Sequence, residues 1–150
     1  MKNLFVDIDN TLVDGIAPVG GSAALAVPPL PGAVAALHSL ARDGWTIYYW
    51  TGRWECHRHE TLEWLRLWGF PGNSGDGNMF FSLLMVPDET RDYVTEKMHL
   101  LSGEPRDGCV IDDMLSYRDA AAEKGYHTID SCLRDWAYIE SAVRDAFRDP

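Results

Sequence analysis

The stretch Phe5-Val6-Asp7-Ile8-Asp9-Asn10-Thr11-Leu12 decides the fold of this 150-residue chain. The apolar run from Leu4 to Ile8 predicts a buried strand, and two carboxylates stand two residues apart where that strand stops. Side chains alternate faces along a strand, so Asp7 and Asp9 are expected to leave it on the same side. Because two like charges this close are costly to bury without a cation or a chemical role, the pair indicates a metal-assisted phosphoryl-transfer site. The plainer alternative is a strand that ends in solvated turn residues.

Composition predicts an ordinary globular protein. With 46% hydrophobic and 24% charged residues, positions 1–150 are expected to form a single domain with a real core. No apolar run reaches the roughly 18 residues that cross a bilayer, and Asp7 interrupts any signal-peptide core, so we expect a soluble, unexported, cytoplasmic protein that does not associate with membranes. Cys56, Cys109 and Cys132 are odd in number and unpatterned, which predicts free thiols, with Cys109 in the core.

The formal net charge of -10 argues against broad, nonspecific nucleic-acid binding, since affinity for phosphate backbones comes largely from clustered Lys and Arg. A local site remains compatible with this charge. Arg53, His57, Arg58 and His59 crowd one short stretch, although a solvated helix start with mixed charge explains most of them equally well.

The order of elements alternates strand and helix. The pattern predicts strands over 4–8, 45–50, 79–86, 109–111 and 126–129. It predicts a helix that Pro31 opens and that ends just before Gly44, and further helices over 55–68, 90–101, 115–124 and 133–147. The segments 14–32 and 69–78, rich in turn-forming residues, are expected to be loops. Strands joined by helices need right-handed crossovers, so we expect an α/β fold with a Rossmann-like parallel sheet and helices on both faces.

Polar side chains follow several of these strands. Asp7 and Asp9 come after the first, Thr51 after the second, and Asp112 with Asp113 after a later one. Because ligands of doubly wound sheets bind at the carboxyl ends of the strands, we expect these groups to converge. Alone, Thr51 would be an unremarkable strand-end hydroxyl, and the Asp112 and Asp113 pair could simply cap a helix.

Each of these groups has a role in phosphoryl transfer. Asp7 can attack phosphorus to form an aspartyl-phosphate, and Asp9 can protonate the departing oxygen and later take a proton from water. We expect Mg²⁺ as cofactor, bound by Asp7, the main-chain carbonyl of Asp9, and Asp112. Thr51 can donate a hydrogen bond to a phosphoryl oxygen, and Lys97 can supply positive charge to the phosphate and to Asp7.

Taken in order, these motifs resemble those of the haloacid dehalogenase superfamily of aspartate-nucleophile phosphatases. The features are Asp7-x-Asp9-x-Thr11-Leu12, an apolar strand ending in Thr51, then Lys97, then Ile111-Asp112-Asp113. The resemblance implies a Rossmann-like sheet, magnesium dependence with Asp113 as a further member of the metal site, and Asp7 as nucleophile. Since members that hydrolyse carbon–halogen bonds lack the second acid, Asp9 favours a phosphatase.

A narrower resemblance is to the 3′-phosphatase domains of phage polynucleotide kinase-phosphatases and their small stand-alone relatives. It rests on Thr51-Gly52-Arg53 before a Trp-containing helix, on Met85-x-Pro87 leading to Lys97, and on the Asp112 motif. It implies substrate binding by Thr51, Gly52 and Arg53, and a phosphorylated nucleic-acid end as partner. Val86 departs from the pattern, since those relatives often carry a basic residue there. No Gly-x-x-x-x-Gly-Lys-Ser/Thr motif for a kinase occurs in the sequence.

The lengths of the insertions predict a domain without a cap. Neither 14–32 nor 69–78 is long enough to fold as one, so the site is expected to admit a bulky substrate such as a nucleic-acid end, unless a second subunit closes it. Trp54, Trp64 and Trp68 can stack on a base if exposed, although such residues more often belong to the core.

Three alternatives stay open at this point. A small-metabolite phosphatase, acting on a sugar phosphate or nucleotide and possible as an oligomer, fits the acidic surface. A non-catalytic phosphoacceptor uses a similar acidic cluster, but there the Lys follows the acidic groups, whereas Lys97 precedes Asp112. A binding module on the same fold would need none of these groups.

Overall fold

A parallel sheet of five strands forms the centre of the molecule. The computed structural model describes residues 2–16, 22–75, 78–101 and 108–148. The sheet consists of β1 (Lys2–Val6), β2 (Trp45–Trp54), β5 (Ser82–Val86), β6 (Gly108–Asp112) and β7 (His127–Asp130), in the spatial order β5-β2-β1-β6-β7. All four pairings are parallel. The chain thus runs outward from β1 to one edge and returns to continue on the other side, which is the Rossmann arrangement predicted from the sequence.

β1 lies at the centre of the sheet, and its residues after Lys2 and Asn3 are apolar. It pairs with β2 from Lys2↔Trp45 to Val6↔Tyr49, and with β6 from Asn3↔Gly108 to Val6↔Ile111. Its four residues after Lys2 are all buried, as expected of a strand covered on both faces. The register brings the ends of β1 and β6 side by side.

Helices cover both faces of the sheet. They are α1 (Ser22–Leu25), α2 (Ala33–Arg42), α3 (Arg58–Leu67), α4 (Tyr93–His99), α5 (Leu115–Glu123) and α6 (Trp136–Asp145). α2, α3 and α6 enclose the larger core, while α4 and α5 pack over Phe5, Trp50 and Val110 on the other face. Among the helices of these described ranges, none has the length and apolar character needed to cross a bilayer.

Two helices, α4 and α6, begin later than the sequence pattern predicts, at positions where polar side chains cap their first turns. Asp92 accepts a hydrogen bond from Thr95 N and starts α4, and Asp135 accepts one from Tyr138 N and starts α6. These caps satisfy amide groups that the first turn leaves without partners. At the other end of α2, Gly44 takes a φ of 87°, a conformation that glycine adopts without strain, and ends the helix as predicted.

Two predictions about the segment 45–68 are wrong. β2 does not stop at Trp50 but continues through Thr51-Gly52-Arg53 to Trp54, with a register shift against β5 between Thr51 and Trp54. A bulge of this kind lets a strand continue while its end is redirected. The helix expected over 55–68 begins instead with a 3₁₀ turn, Glu55–His57, before α3.

The segment 69–78 is also not simply a loop. β3 (Asn73–Gly75) and β4 (Asn78–Phe80) pair antiparallel, so the strand expected over 79–86 is divided into β4 and β5. The Asn73 side chain explains why the hairpin forms here, because it accepts from Ile47 N and donates to Ile47 O on β2. In the segment 14–32, the described residues include α1 and a bridge between Val13 and Pro29, while 17–21 lie outside the described ranges.

The three cysteines are free thiols, as predicted, and only Cys109 is buried. Burial raises the pKa of the Cys109 thiol to about 12. We therefore expect an aromatic disulfide reagent to modify Cys56 and Cys132 in the native protein, and Cys109 only after unfolding. The absorbance of the released thiolate counts the reacted groups, and immediate reaction of all three in native buffer would contradict this packing.

Candidate active site

The carboxyl ends of β1, β2 and β6 meet at the point where the strand order reverses. Asp7 directly follows β1, and its amide donates a 3.0 Å hydrogen bond to the carbonyl of Ile111 on β6. Asp112 ends β6, and Thr51 lies near the end of β2. Asn10 then takes a φ of 60° and Leu12 N bonds back to Ile8 O, so the chain turns immediately after the acidic pair. The fold therefore brings together groups that are far apart in the sequence.

Lys97 joins two of these groups. Its side chain is buried on α4, and its ammonium lies 2.9 Å from Asp7 Oδ1 and 2.7 Å from Asp112 Oδ2. The second oxygen of Asp112 accepts a 2.9 Å hydrogen bond from Met114 N. Both carboxylates are thus held in fixed orientations by bonds to donors.

Two aromatic rings enclose the same ammonium, and sequence reasoning did not find this role. Lys97 Nζ lies 4.1 Å from the ring centre of Trp50 and 4.3 Å from that of Tyr117. Trp50 Nε1 also donates a 2.7 Å hydrogen bond to the Lys97 carbonyl. A cation between aromatic faces is stabilised by the negative charge of the rings, and the rings keep water away. The sequence feature that could have indicated this aromatic enclosure is Trp50, a large aromatic residue directly before Thr51.

Burial dominates the electrostatics of the site. It raises the pKa of Asp7 to about 8, opposed by Lys97 and supported by the negative charge of Asp112. The pKa of Asp112 is raised as well, again chiefly by burial. For Lys97, burial alone would lower the pKa, but the two carboxylates outweigh it and the pKa is raised. Burial therefore opposes ionisation of both acids more strongly than the one nearby ammonium favours it.

The surplus of negative charge matches a divalent metal ion. Asp7, Asp112 and Asp113 each offer a carboxylate oxygen, and these oxygens lie within 4.8 Å of one another. When Asp7, Asp112 and Asp113 are all ionised, they carry three negative charges. The single positive charge of Lys97 balances one of them and leaves two. Hard carboxylate oxygens are what Mg²⁺ prefers, so these residues fit the predicted ion. The predicted contribution of the Asp9 carbonyl stays a prediction.

The carboxylate of Asp9 faces Arg53. Arg53 Nε lies 3.0 Å from Asp9 Oδ2 and Nη2 lies 2.7 Å from Oδ1, which makes a two-point ion pair. Arg53 Nη1 also bonds to the Thr61 hydroxyl of α3 at 3.2 Å. The structure therefore gives Arg53 a contact that sequence reasoning did not foresee, while its predicted contact with substrate stays a prediction.

Thr51 and Gly52 lie beside this pair. The Thr51 hydroxyl is buried and accepts a 3.1 Å hydrogen bond from Arg53 N. Its own hydrogen is not used in this bond and can be donated to a different acceptor. A Cβ atom on Gly52 would meet the Tyr93 ring at 3.4 Å, which shows how closely the backbone approaches that ring. Val86 occupies the position at which the 3′-phosphatase domains often carry a basic residue. It is fully buried and pairs with Trp54 between β5 and β2.

A chain of hydroxyl groups supports Asp7 from its other side. Thr11 Oγ1 donates to Asp7 Oδ2 at 3.1 Å and lies 2.7 Å from the buried Ser131 Oγ. Because a hydroxyl has one proton, Ser131 must donate to Thr11 in this arrangement. Trp136 Nε1 donates to the Thr11 carbonyl at 3.0 Å. Ser131 is 120 residues from Thr11, and no sequence signal identified it.

The basic cluster at 53–59 is largely neutralised within the chain. Arg58 pairs with Glu55 and donates to the Leu83 carbonyl, and His59 lies 3.1 Å from Glu63. His57 lies 3.7 Å from Glu60. This favours the interpretation as a helix start of mixed charge. Of the three tryptophans considered for stacking, Trp64 belongs to the core, and Trp68 packs against it and bonds to the Leu25 carbonyl.

A cavity of about 550 Å³ opens onto the acidic groups. Its lining includes the two acids of β1, the aromatic residue Tyr117 and the end of β2, and it continues to Trp54 and Tyr93. A volume of this size lies within the usual range for small-molecule sites. The site thus has room for much more than a phosphate.

Solved structures share this fold. A chain of the Pnkp1/Rnl/Hen1 RNA repair complex matches with a TM-score of 0.68 and 20% identity, over 86% of this chain and 42% of that chain. The D,D-heptose 1,7-bisphosphate phosphatase from B. bronchiseptica, complexed with magnesium and phosphate, matches with a TM-score of 0.61 and 16% identity, over 92% and 87% of the two chains. The class C acid phosphatase from Bacillus anthracis matches with a TM-score of 0.55 and 15% identity, over 99% and 80%.

These likenesses confirm the predicted fold. Two of the matched structures are phosphatases, and the third is a chain of an RNA repair complex. The chain spans less than half the length of that protein. No protein-family model and no curated protein matches the sequence.

We expect Mg²⁺ to stabilise the folded protein through the acidic group. At about 100 times its dissociation constant, a ligand adds about 2.7 kcal/mol, which corresponds to a rise in melting temperature of roughly 5–10 °C for a chain of this size. Asp112→Asn should remove most of this rise, because it deletes a buried ligand. The exposed substitution Glu123→Gln makes the same charge change on α5 and should keep it. Equal shifts in both variants, measured by thermal denaturation, would contradict the metal assignment.

Proposed function

We propose that this protein is a Mg²⁺-dependent phosphomonoester hydrolase that works through an aspartyl-phosphate on Asp7, in a domain without a cap. The supporting observation is the arrangement of Asp7 itself. One of its oxygens contacts Lys97, the other contacts Thr11, and Asp9, which lines the same cavity, is held by Arg53. A nucleophile held this rigidly next to a second acid is what two successive displacements at phosphorus require.

In the first displacement, an oxygen of Asp7 forms a bond to phosphorus while the bond from phosphorus to the alcohol oxygen breaks. Asp9 gives its proton to that departing oxygen. In the second displacement, a water molecule attacks the same phosphorus and gives a proton to Asp9. The acyl-phosphate bond breaks, so Asp7 is restored and inorganic phosphate leaves.

The remaining groups stabilise charge. Lys97 balances Asp7 and the phosphoryl oxygens, and Thr51 donates a hydrogen bond to one of those oxygens. Mg²⁺, bound by Asp7, the Asp9 carbonyl and the Asp112 and Asp113 pair, would neutralise the phosphate and favour the ionised form of the acids. Arg53 orients Asp9 through its two-point contact.

For the substrate, we propose a polynucleotide 3′-phosphate end. Support comes from the Thr51-Gly52-Arg53 motif and from the likeness in fold to a chain of an RNA repair complex. The open cavity also favours an extended substrate. In the described parts of the segments 14–32 and 69–78, the helices and strands are the four-residue α1 and the short β3–β4 hairpin, which supports a domain without a cap.

A small-metabolite phosphatase is the second candidate. The observation that favours it is the match to the heptose bisphosphate phosphatase, which extends over most of both chains. The net charge of -10 also agrees with a substrate that needs no long basic surface. In that case a second copy of the chain could close the open site.

We expect Asp7→Asn to lower Mg²⁺-dependent hydrolysis of an aryl phosphate by at least about a thousandfold, because an amide cannot act as the nucleophile. Circular dichroism should show that the variant stays folded. Asp145→Asn removes an acid from an exposed ion pair on α6 and should keep wild-type rates. Near-wild-type turnover in Asp7→Asn would overturn the proposed mechanism.

The substrate class is tested by comparing kcat/KM for 3′-phosphorylated nucleotides and oligonucleotides, 5′-phosphorylated ones, and sugar phosphates. We expect the 3′-phosphates to be the best substrates by at least about tenfold, which corresponds to 1.4 kcal/mol of transition-state binding. Equal or higher values for the sugar phosphates would favour the second candidate instead.

A further inference from the structure

The outer part of the cavity has a wall of aromatic and apolar side chains that the proposed reaction does not use. Trp54 and Tyr93 line it together with Met114 and Ile16. Met114 is 49% exposed and Ile16 is 79% exposed, although both are apolar. Large apolar side chains left open beside a polar site indicate a bound group that covers them.

The centre of this wall is held in place. Trp54 Nε1 donates a 2.9 Å hydrogen bond to Tyr93 Oη, which joins the end of β2 to the start of α4. The Tyr93 ring packs beside Gly52, where a Cβ atom would lie 3.4 Å from the ring, an ordinary van der Waals contact. Trp54 lies three residues after Thr51 on β2, and Tyr93 packs beside Gly52, so both rings are positioned near the end of β2 by contacts within the protein.

Charge limits what the cavity can hold beyond one phosphate. Its cationic lining residues in the described ranges are Arg53, Lys97 and, when protonated, His57. Arg53 is engaged by Asp9, and Lys97 by Asp7 and Asp112. His57 lies beside Glu60. The lining thus offers no row of cations that could follow a sugar-phosphate backbone.

We propose that the aromatic wall of Trp54 and Tyr93 binds the base of the terminal nucleoside by stacking, and that the protein recognises a 3′-phosphorylated end as a single nucleotide. This inference rests on the proposed phosphatase function and specifies its substrate. Every nucleobase has a flat π-face, so stacking tolerates any sequence. A sugar phosphate has no such face, and the second phosphate of a bisphosphate would meet cations that are already paired.

The first test compares kcat/KM for thymidine 3′-monophosphate, a 3′-phosphorylated octanucleotide and glycerol 2-phosphate. We expect both nucleotides to exceed glycerol 2-phosphate by at least about tenfold, and to agree with each other within about threefold. Raising the salt from about 50 to 200 mM should change these values by less than about threefold, whereas six to ten backbone contacts would give about 10³-fold or more. A large advantage of the octanucleotide with steep salt dependence would overturn the inference and leave the phosphatase function intact.

The second test substitutes the wall. Trp54→Leu should lower the ratio of thymidine 3′-monophosphate to glycerol 2-phosphate in kcat/KM by about 5- to 100-fold, the effect of losing one stacking partner. Trp54→Phe keeps a ring but cannot donate to Tyr93, and should retain most of the ratio. Tyr138→Leu removes an exposed aromatic residue of α6 outside the cavity and serves as the matched control. An unchanged ratio in Trp54→Leu would overturn the inference.

A binding measurement decides the question without turnover. In the Asp7→Asn background with Mg²⁺, calorimetric titration should show thymidine 3′-monophosphate binding at least about fivefold more tightly than glycerol 2-phosphate, and Trp54→Leu should remove this difference. Equal affinities would overturn the stacking site even if aryl phosphates are hydrolysed. If the preference is present but no phosphate ester is hydrolysed by the wild type, the nucleotide site stands and the proposed function fails.

Discussion

The buried contact of Lys97 with Asp7 and Asp112 is the interaction on which the rest of the structure depends. Removing charges from water is costly, and leaving one of them without its partner typically destabilises a protein by about 3–5 kcal/mol. Three elements must therefore meet correctly: the end of β1, the end of β6 and one face of α4. Trp50 and Tyr117 complete the enclosure with their rings. An apolar cluster would stabilise the fold at least as well as these buried charges, because it requires no desolvation of ions. A catalytic role therefore explains the buried contact better than a stabilising role does.

The sheet topology makes this contact possible. Because β1 lies between β2 and β6, its end is the only strand end that neighbours both Thr51 and Asp112 in the described sheet. The hydroxyl chain from Ser131 through Thr11 adds support from the segment after β7. Asp7 is consequently fixed from both sides of the switch point, while Asp9 is fixed separately by Arg53. The two acids that the reaction needs are thus oriented by independent parts of the chain.

Sequence reasoning was sufficient for the fold class and for the strand ends that meet, because apolar runs locate buried strands and parallel connections constrain their order. It could not define the surroundings of these ends. Ser131 contacts Thr11, which is 120 residues away, and Arg53 contacts Asp9, which is 44 residues away. The Trp50 ring contacts Lys97, a cation on another element. No local sequence pattern records such pairs. The extension of β2 and the β3–β4 hairpin were missed for a similar reason. Asn73 stabilises the hairpin by bonding to β2, which overrides the turn-forming tendency of its own segment.

The Arg53–Asp9 pair gives Arg53 a positioning role in addition to the substrate contact that the sequence predicts. In the proposed reaction Asp9 carries a proton when the leaving oxygen departs, and a protonated carboxyl no longer cancels the charge of the guanidinium. The positive charge of Arg53 is then available to the phosphoryl group at the moment when negative charge develops there. Once the proton has moved to the alcohol, Asp9 is negative again and Arg53 holds it in position for the attacking water. A positioning residue and a substrate contact can therefore be the same side chain at different stages of one reaction, provided that its two-point contact keeps Asp9 within reach of phosphorus throughout.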